Sequence, residues 1–426
     1  MKDKLLHTPE GVRDIYSYEC RNKIKLQDDL HKMLEKYGFQ DIQTPSFEFF
    51  DIFNQERGTI SSKDLYKFFD RDGNTLVLRP DITPSIARCV AKYYKEESMP
   101  IRLSYIGNTF INNISYQGKL KEVTQLGAEL INDNSVEADA EMIALTIECL
   151  LKSGLTDFQL DIGEADFFRA LIDEAGFNEK EEEGRFRELM EHKNIFGTNE
   201  FIKTRDLDKN LKELLTKLPG LFGGYDVLQL AKSLTNNDRA LQSIERLEKI
   251  YDLMKDYNLE QYISFDLGMI SKYDYYTGII FKAYTYSTGE AVASGGRYDN
   301  LVSQFGKDAS AIGLVIVVDH LMIALSRQRL LKKSIRLDTL IIYVAEHRKS
   351  AIALAKHFRD EDINVILQLL NSDKTIDEYI EYSKRSSIGG ILLVNNNEEI
   401  TVINIETGEK KIAKASDFLL SNKVGE

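Results

Sequence analysis

The sequence of 426 residues predicts an α+β domain followed by a smaller α/β domain. Three observations support this fold class. Short strand-like runs separated by turn signals follow an N-terminal helix, a highly charged and almost wholly helical stretch covers 166–260, and strands alternate with helices from about residue 338. Strands that cluster with helices around them indicate an antiparallel sheet, whereas regular alternation indicates a mainly parallel one.

Local patterns predict the elements of the first domain. Apolar residues recur at helical spacing over 18–37 and Gly38 follows them, which indicates an amphipathic helix with a glycine stop. Strands are predicted at 40–44, 65–70, 75–78 and 101–107, and again at 262–267, 278–284 and 291–294. Residues 70–74 (DRDGN) predict a hairpin turn, because the glycine can adopt positive φ.

The C-terminal part predicts a separate domain. Strand, helix (347–358), strand, helix (376–383) and strand follow one another after residue 338, and the basic stretch 327–336 precedes them as a linker. We therefore expect a core at 1–327, with a helical insertion at about 166–260, and a C-terminal α/β domain at 336–426.

Composition and charge exclude several classes of function. Lys and Arg total 55 against 68 Asp and Glu, which gives a formal net charge of −13. So acidic a chain is a poor candidate for non-specific binding to nucleic acids or anionic membranes. It has no apolar run of membrane-spanning length and no secretory signal, and its three cysteines lack CxxC spacing. We expect a cytoplasmic protein without structural disulfides.

Residue spacing also argues against a metal or a cofactor. No pair among the six histidines has zinc-binding spacing. The sequence contains neither a P-loop nor a dinucleotide-type glycine motif after a strand. No metal and no cofactor are therefore expected.

Four segments could carry chemistry: LRPDITPSIAR (78–88), YIGNTFINNISYQGKLKEVTQLGAE (105–129) with a polar loop around Gln117 and Gly118, DLGMISKYDYYTGIIF (266–281) with tyrosines beside Asp274, and SGGRYDN (294–300). Taken singly, a tyrosine cluster is more simply half-buried packing and a Gly-Gly pair a bulge. Together, the acceptors Asp81 and Glu129, the amide of Gln125 and the phenol hydroxyls suit a small zwitterion with an ammonium group. Gln125 and Glu129 are four residues apart, so they share one face of a strand.

In this order and spacing the segments resemble histidyl-tRNA synthetase, a class II aminoacyl-tRNA synthetase. RPDIT resembles that family's RPEGT loop, YIGNTFIN and QLGAE its motif 2, DYYTG and SGGRYD its two histidine-pocket signatures, and AIGLVIVVDHL its motif 3. The opening TPEGVRD and the C-terminal GGILLVN and ITVINIETGE, which resemble the anticodon-binding domain, extend the match over nearly the whole chain. The resemblance implies a class II synthetase-like antiparallel sheet with flanking helices and an anticodon-binding-like C-terminal domain.

Three departures from the family fall on the side of the site that would hold ATP. Ile111, Ser271 and His320 stand where the synthetase has arginines. Fixed cations stabilise the α-phosphate when an adenylate forms, and removal of one such donor costs about 2.7 to 4 kcal/mol. Lys119 and Lys121 remain in the motif 2 loop, where the family's secondary phosphate contacts lie. We therefore expect that activation chemistry is absent.

The amino-acid side of the pocket is kept. The resemblance implies a histidine site formed by Asp81, Thr83, Gln125, Glu129, Tyr275, Tyr276 and Tyr298. Asp81 replaces the family's glutamate and is one methylene shorter.

A histidine pocket without the ATP machinery resembles the synthetase-like regulatory subunits of ATP phosphoribosyltransferase. RPDITPSIAR, LPGLFGGYDVL and the tyrosine that precedes DYY are similar to that subfamily. The resemblance implies a non-catalytic chain in a hetero-oligomer with a short catalytic subunit, a dimer formed through residues near 39–48, histidine as the feedback effector, and neither a membrane nor tRNA as a partner. Two alternatives stay open: an active histidyl-tRNA synthetase, and a stand-alone histidine or tRNA sensor.

Overall fold

A computed structural model describes residues 3–53, 61–113, 119–177, 180–270, 275–331, 338–396 and 398–419. The chain divides into two compact units, Met1–Lys332 and Lys333–Glu426. Residues 332–336 of the predicted linker (327–336) lie outside the described residues.

The first unit contains ten α-helices and twelve strands within the described residues. The helices are α1 Ser17–Lys36, α2 Thr83–Tyr93, α3 Val136–Ser153, α4 Ala165–Ala175, α5 Lys180–Glu191, α6 Ile195–Lys203, α7 Lys209–Lys217, α8 Asp226–Leu234, α9 Asp238–Asp256 and α10 Val318–Arg327. The strands are β1 Gln40–Asp41, β2 Phe47–Phe49, β3 Lys67–Phe69, β4 Thr75–Leu78, β5 Ile101–Phe110, β6 Glu122–Ile131, β7 Gln159–Glu164, β8 Phe222–Gly223, β9 Ile263–Asp266, β10 Ile279–Tyr284, β11 Ala293–Arg297 and β12 Ala311–Val317.

Nine of these strands form one sheet in the order β1-β5-β6-β12-β11-β10-β7-β9-β8. Its interior pairs from β5 to β7 are all antiparallel, as the sequence predicted. Two pairs, β1 with β5 and β7 with β9, are parallel. Parallel neighbours require a long crossover, and the helices α4–α9 supply it between β7 and β9. The α+β fold is therefore confirmed, with a mixed sheet in place of a purely antiparallel one.

Helices cover the two faces of this sheet unequally. One face carries the large core, in which α1, α3 and α10 pack on the strands and which continues into α4–α9. The other face carries a smaller apolar cluster built around α2 and the tyrosines Tyr105, Tyr275 and Tyr298. The second face is therefore the one on which α2 and these tyrosines meet.

The predicted helical stretch at 166–260 is confirmed in outline. It consists of α4 to α9 and is interrupted by the short strand β8, because Phe222 and Gly223 pair with the end of β9. Three predicted strands differ most from the observed ones: the strand at 40–44 shrinks to Gln40–Asp41, the strand at 65–70 shrinks to Lys67–Phe69, and the strand at 291–294 is shifted to Ala293–Arg297.

A separate three-stranded sheet, β2-β4-β3, contains the predicted hairpin. The Asp70 carboxylate accepts hydrogen bonds from the backbone N–H groups of Asp72 and Asn74, and Gly73 has φ +84°. One face of this sheet is apolar and at least partly exposed; it carries Phe47, Phe49, Phe68, Leu76 and Leu78, and we call it the aromatic face.

The second unit is a five-stranded sheet with helices on both faces. Its elements are β13 Asp338–Tyr343, α11 Arg348–Asp360, β14 Val365–Leu369, α12 Ile376–Arg385, β15 Ile388–Val394, β16 Glu399–Asn404, β17 Lys410–Lys414 and α13 Ala415–Leu419. The order is β14-β13-β15-β16-β17. The first three strands are parallel as predicted, but the last two add antiparallel pairs, so the expectation of a mainly parallel sheet was wrong for residues 399–414.

No helix within the described ranges is both long enough and apolar enough to cross a lipid bilayer.

Candidate ligand pocket

The floor of the pocket is formed by the central strands β5, β6 and β12. Gln125, Gly127 and Glu129 alternate along β6, so they point to one face of the sheet. Tyr105 of β5 lies opposite Gly127, and Gly313 of β12 lies opposite Glu129. A Cβ atom on Gly313 would lie 1.9 Å from Glu129 Oε2, so a glycine is needed there for the carboxyl group to lie flat on the sheet.

Glu129 is the centre of the pocket. The Thr83 hydroxyl donates to Oε1 at 2.8 Å, and the Tyr298 hydroxyl donates to Oε2 at 2.5 Å. The carboxyl group is 1% exposed. Strand β6, the start of helix α2 and the end of strand β11 therefore meet at this one side chain.

Asp81 is a second buried carboxyl group beside the first. Its Oδ2 accepts a hydrogen bond from the Tyr275 hydroxyl at 2.8 Å, and its Oδ1 accepts one from the backbone N–H of Thr83 at 3.2 Å. Thr83 therefore contacts both acids. The bond between Asp81 and Tyr275 joins segments 194 residues apart in sequence.

Three tyrosine rings form one wall. The centroids of Tyr275 and Tyr276 are 4.9 Å apart, and Tyr275 meets Tyr298 edge-on at 6.0 Å. Tyr276 is half-buried and rests on Gly296, where an added Cβ would lie 2.7 Å from its ring. The Gly-Gly pair of the fourth segment thus gives room to an aromatic ring.

Gln125 contributes an amide whose oxygen, Oε1, is buried and has no hydrogen-bond partner among the described residues. A buried acceptor without a partner costs free energy. A ligand that donates a hydrogen bond at this position would recover that free energy.

Burial dominates the electrostatics. It raises the pKa of Glu129 to about 8; the hydrogen bonds from Tyr298 and Thr83 oppose this shift, and the nearby charge of Asp81 adds to it. Burial also raises the pKa of Asp81. Two acids in one dry site favour a cationic ligand, because a positive charge offsets the cost of ionising them.

The sequence-predicted site residues therefore lie close to one another: Asp81, Thr83, Gln125, Glu129, Tyr275, Tyr276 and Tyr298 all line this one region of the sheet. Sequence reasoning missed Tyr105 as an individual member. Its ring is buried, and burial followed by the charges of Glu129 and Asp81 raises its pKa well above 10. Its place at the start of the YIGNTFIN segment, which resembles motif 2, was the signal available in the sequence.

Lys119, Lys121 and His320, which the resemblance places on the phosphate side of the site, all lie within the described residues. Lys119 pairs with Glu290 at 2.8 Å, and the aliphatic carbons of Lys121 lie beside Gly11. His320 Nδ1 lies 3.0 Å from the carbonyl oxygen of Ala291. Ser271, Asp274, Gln117 and Gly118 lie outside the described residues. No cluster of three or more His, Cys, Asp or Glu suited to a metal ion occurs in the part of the chain that is described.

Comparisons with known proteins agree with this architecture. A family model described as histidyl-tRNA synthetase matches residues 11–321, and a model of the C-terminal domain of "Histidyl-tRNA synthetase HisZ" matches residues 340–384. A histidyl-tRNA synthetase from Nostoc has the same fold, with a TM-score of 0.78 at 17% identity over 97% of this chain and 98% of its own. The matching family model and the fold thus define a histidyl-tRNA synthetase-like protein of class II.

Two relatives narrow the assignment. An ATP phosphoribosyltransferase regulatory subunit from Acetivibrio thermocellus is 39% identical over 98% of this chain and all of its own length. A crystal structure from Bacillus halodurans, described as an ATP phosphoribosyltransferase regulatory subunit/histidyl-tRNA synthetase, has a TM-score of 0.79 at 32% identity, covering 89% of this chain and 96% of its own. This chain belongs to the family of ATP phosphoribosyltransferase regulatory subunits.

The raised pKa of Glu129 predicts a pH dependence of stability. The ordinary pKa of 4.5 applies in the unfolded chain and about 8 in the folded chain, so unfolding between these values releases a proton. The contribution of Glu129 to the free energy of unfolding should therefore fall as pH rises from about 5 to 8, by at most about 1.4 kcal/mol per pH unit. Glu129→Gln removes the titration.

Urea unfolding of both proteins at pH 5, 6, 7 and 8 measures this effect. The free energy of unfolding of the parent minus that of Glu129→Gln should decrease with pH. Glu164, also buried with a pKa of about 8, is present in both proteins and cancels in the difference. A difference that does not change with pH would contradict the assignment.

Proposed function

We propose that this chain is the non-catalytic regulatory subunit of ATP phosphoribosyltransferase in the first step of histidine biosynthesis, and that its pocket binds histidine as the feedback inhibitor. One observation carries the proposal: the two buried acids and the amide are kept together, while Ile111 and His320 stand where the synthetase resemblance expects cations. The family membership supports the regulatory role.

Histidine suits the chemistry of the pocket. Its ammonium group matches buried carboxyl oxygens, its imidazole can donate to or accept from Glu129 and Tyr298, and the ring can stack on the tyrosine wall. The free oxygen of Gln125 adds one acceptor. An amino acid with an apolar side chain would leave the Gln125 oxygen unpaired, which is costly in a dry site.

Adenylate formation lacks support on the other side of the pocket. An α-phosphate under attack needs fixed cations, but Ile111 and His320 stand at two of the positions where the resemblance expects arginines, and Lys119 pairs with Glu290. The chain would therefore bind the amino acid without activating it. The net charge of −13 also disfavours tRNA as a partner.

The partner in this proposal is a short catalytic subunit of the phosphoribosyltransferase. Histidine inhibits that subunit if it binds more tightly to the inhibited arrangement of the complex, typically by 1 to 3 kcal/mol. By reciprocity, the arrangement of the complex changes the affinity for histidine by the same factor.

The aromatic face supports self-association. Phe47 is 51% exposed and Phe49 is 56% exposed, and they lie beside Phe68 on one apolar sheet surface. Contiguous apolar surface of this kind marks an interaction site. We assign it to a second copy of this chain. Within the expected segment 39–48, Phe39 and Glu48 are themselves buried in the chain, so Phe47 would make the contact.

The first prediction separates the regulatory subunit from the active synthetase. Calorimetric titration of the chain should detect histidine binding and no binding of ATP with magnesium. Exchange of pyrophosphate into ATP in the presence of histidine should stay at background. A clear exchange signal would overturn the proposal and favour the synthetase.

The second prediction concerns Glu129. In the complex with the catalytic subunit, Glu129→Ala should abolish inhibition by histidine, because it removes the central acceptor, while gel filtration should still detect the complex. Glu122→Ala is the matched control: it lies seven residues away on the same strand and faces the other side, where it bonds Asn108. If Glu129→Ala stayed as sensitive to histidine as Glu122→Ala, the effector assignment would be wrong.

The third prediction concerns the dimer. Phe49→Asp places a charge in the aromatic face and should weaken self-association at least tenfold in sedimentation equilibrium. Phe196→Asp, at a site 77% exposed on helix α6, should not. Equal behaviour of the two variants would place the dimer contact elsewhere.

A further inference from the structure

Tyr298 follows a residue that is anchored to the opposite side of the sheet. Arg297 is buried, and its Nε and Nη2 lie 2.9 Å and 2.6 Å from Asp139 Oδ1. Its Nη1 donates to the carbonyl oxygen of Asp133 at 3.0 Å. The Asp139 side chain has no exposed surface, so this ion pair is dry.

Helix α9 supplies a second guanidinium to the same carboxylate. Arg246 Nε lies 2.6 Å from Asp139 Oδ2. Its Nη2 donates to the carbonyl oxygens of Asn134 and Ser135, just before α3. One buried carboxylate therefore connects the helical insertion to Arg297, the last residue of strand β11, which directly precedes Tyr298.

A parallel connection reaches Tyr276. Arg169 of α4 donates to the carbonyl oxygens of Tyr276 and Thr277 at 3.0 Å and 2.7 Å. Asp166, three residues before it, contacts Arg169 at 3.5 Å and Arg239 of α9 at 2.7 Å. Arg239 also pairs with Asp173 of α4.

Both connections start from one face of α9. Arg239 and Arg246 are seven residues apart, which is about two helical turns, so their side chains project from the same side. A small rotation or shift of α9 would therefore act on Arg169 and on Asp139 together. The two tyrosines at the ends of these connections stand on the same wall of the pocket.

We infer that helix α9 couples the helical insertion to the ligand pocket, with Arg246 as a positioning residue that acts through Asp139 and Arg297. The identity of the ligand in this inference rests on the proposed function; the positioning of the pocket wall does not. A protein that contacts the insertion and displaces α9 would change the affinity of the pocket, and a ligand in the pocket would change the affinity for that protein by the same factor.

The test compares Arg246→Gln with Arg205→Gln. Arg205 is a matched control, because it is an insertion arginine of similar exposure (30% against 24%) that also forms a 2.6 Å ion pair, with Glu182. Arg246→Gln should raise the Kd for histidine roughly 3- to 30-fold, and Arg205→Gln should leave it unchanged. Arg246→Lys, which restores a cation, should recover part of the loss.

Hydrogen exchange gives a readout that does not depend on the ligand. Arg246→Gln should increase amide exchange in 293–300 relative to Arg205→Gln. Arg239→Gln alters an exposed side chain with little risk to folding, and it should increase exchange in 275–284; it carries the test if Arg246→Gln fails to fold.

The outcomes separate this inference from the proposed function. If the parent does not bind histidine, the proposed effector is wrong, and the coupling through α9 is then tested by hydrogen exchange alone. Faster exchange of 293–300 in Arg246→Gln than in Arg205→Gln supports the coupling. If Arg246→Gln matches Arg205→Gln in both Kd and exchange, or if Arg239→Gln in its place leaves 275–284 unchanged, the coupling inference is overturned.

Discussion

The site depends on placing a carboxyl group in a dry environment on the face of a sheet. Glu129 lies over Gly313, between the hydroxyls of Thr83 and Tyr298, and burial keeps it protonated to a higher pH than an exposed glutamate. Such a group is costly unless its surroundings satisfy both oxygens. The glycines, the tyrosines and the start of α2 are best understood as the structure that meets this requirement.

Under the proposed function, one fold would keep recognition of the amino acid and lose the activation chemistry. Recognition of a zwitterion uses short-range hydrogen bonds from groups fixed on the sheet. Adenylate formation requires, in addition, positive charge in the loops and at the start of α10. The two sets of residues occupy different places. His320 contacts a backbone carbonyl and Lys119 contacts Glu290, and neither contact involves the acids in the centre of the sheet.

Much of the fold and the site could be predicted from the sequence, and the limits have physical reasons. Helix α1, the DRDGN hairpin and the seven pocket residues followed from local periodicity, turn chemistry and the motif resemblance. The parallel pairs at the ends of the sheet and the antiparallel strands after β15 depend on which strands become neighbours, and local patterns do not encode this. The ion pair of Arg297 with Asp139 joins residues 158 apart, and nothing near either residue indicates the other.

The parallel pairing of β7 and β9 has a consequence for the origin of the helical stretch between them. Its two ends leave and rejoin the sheet on adjacent strands, so the chain between them forms a closed excursion whose length the sheet does not restrict. During evolution of this fold, the helical stretch between β7 and β9 could be lengthened, shortened or exchanged while the strands beneath it kept their register. New binding surfaces could thus be acquired there without rebuilding the site on which they act.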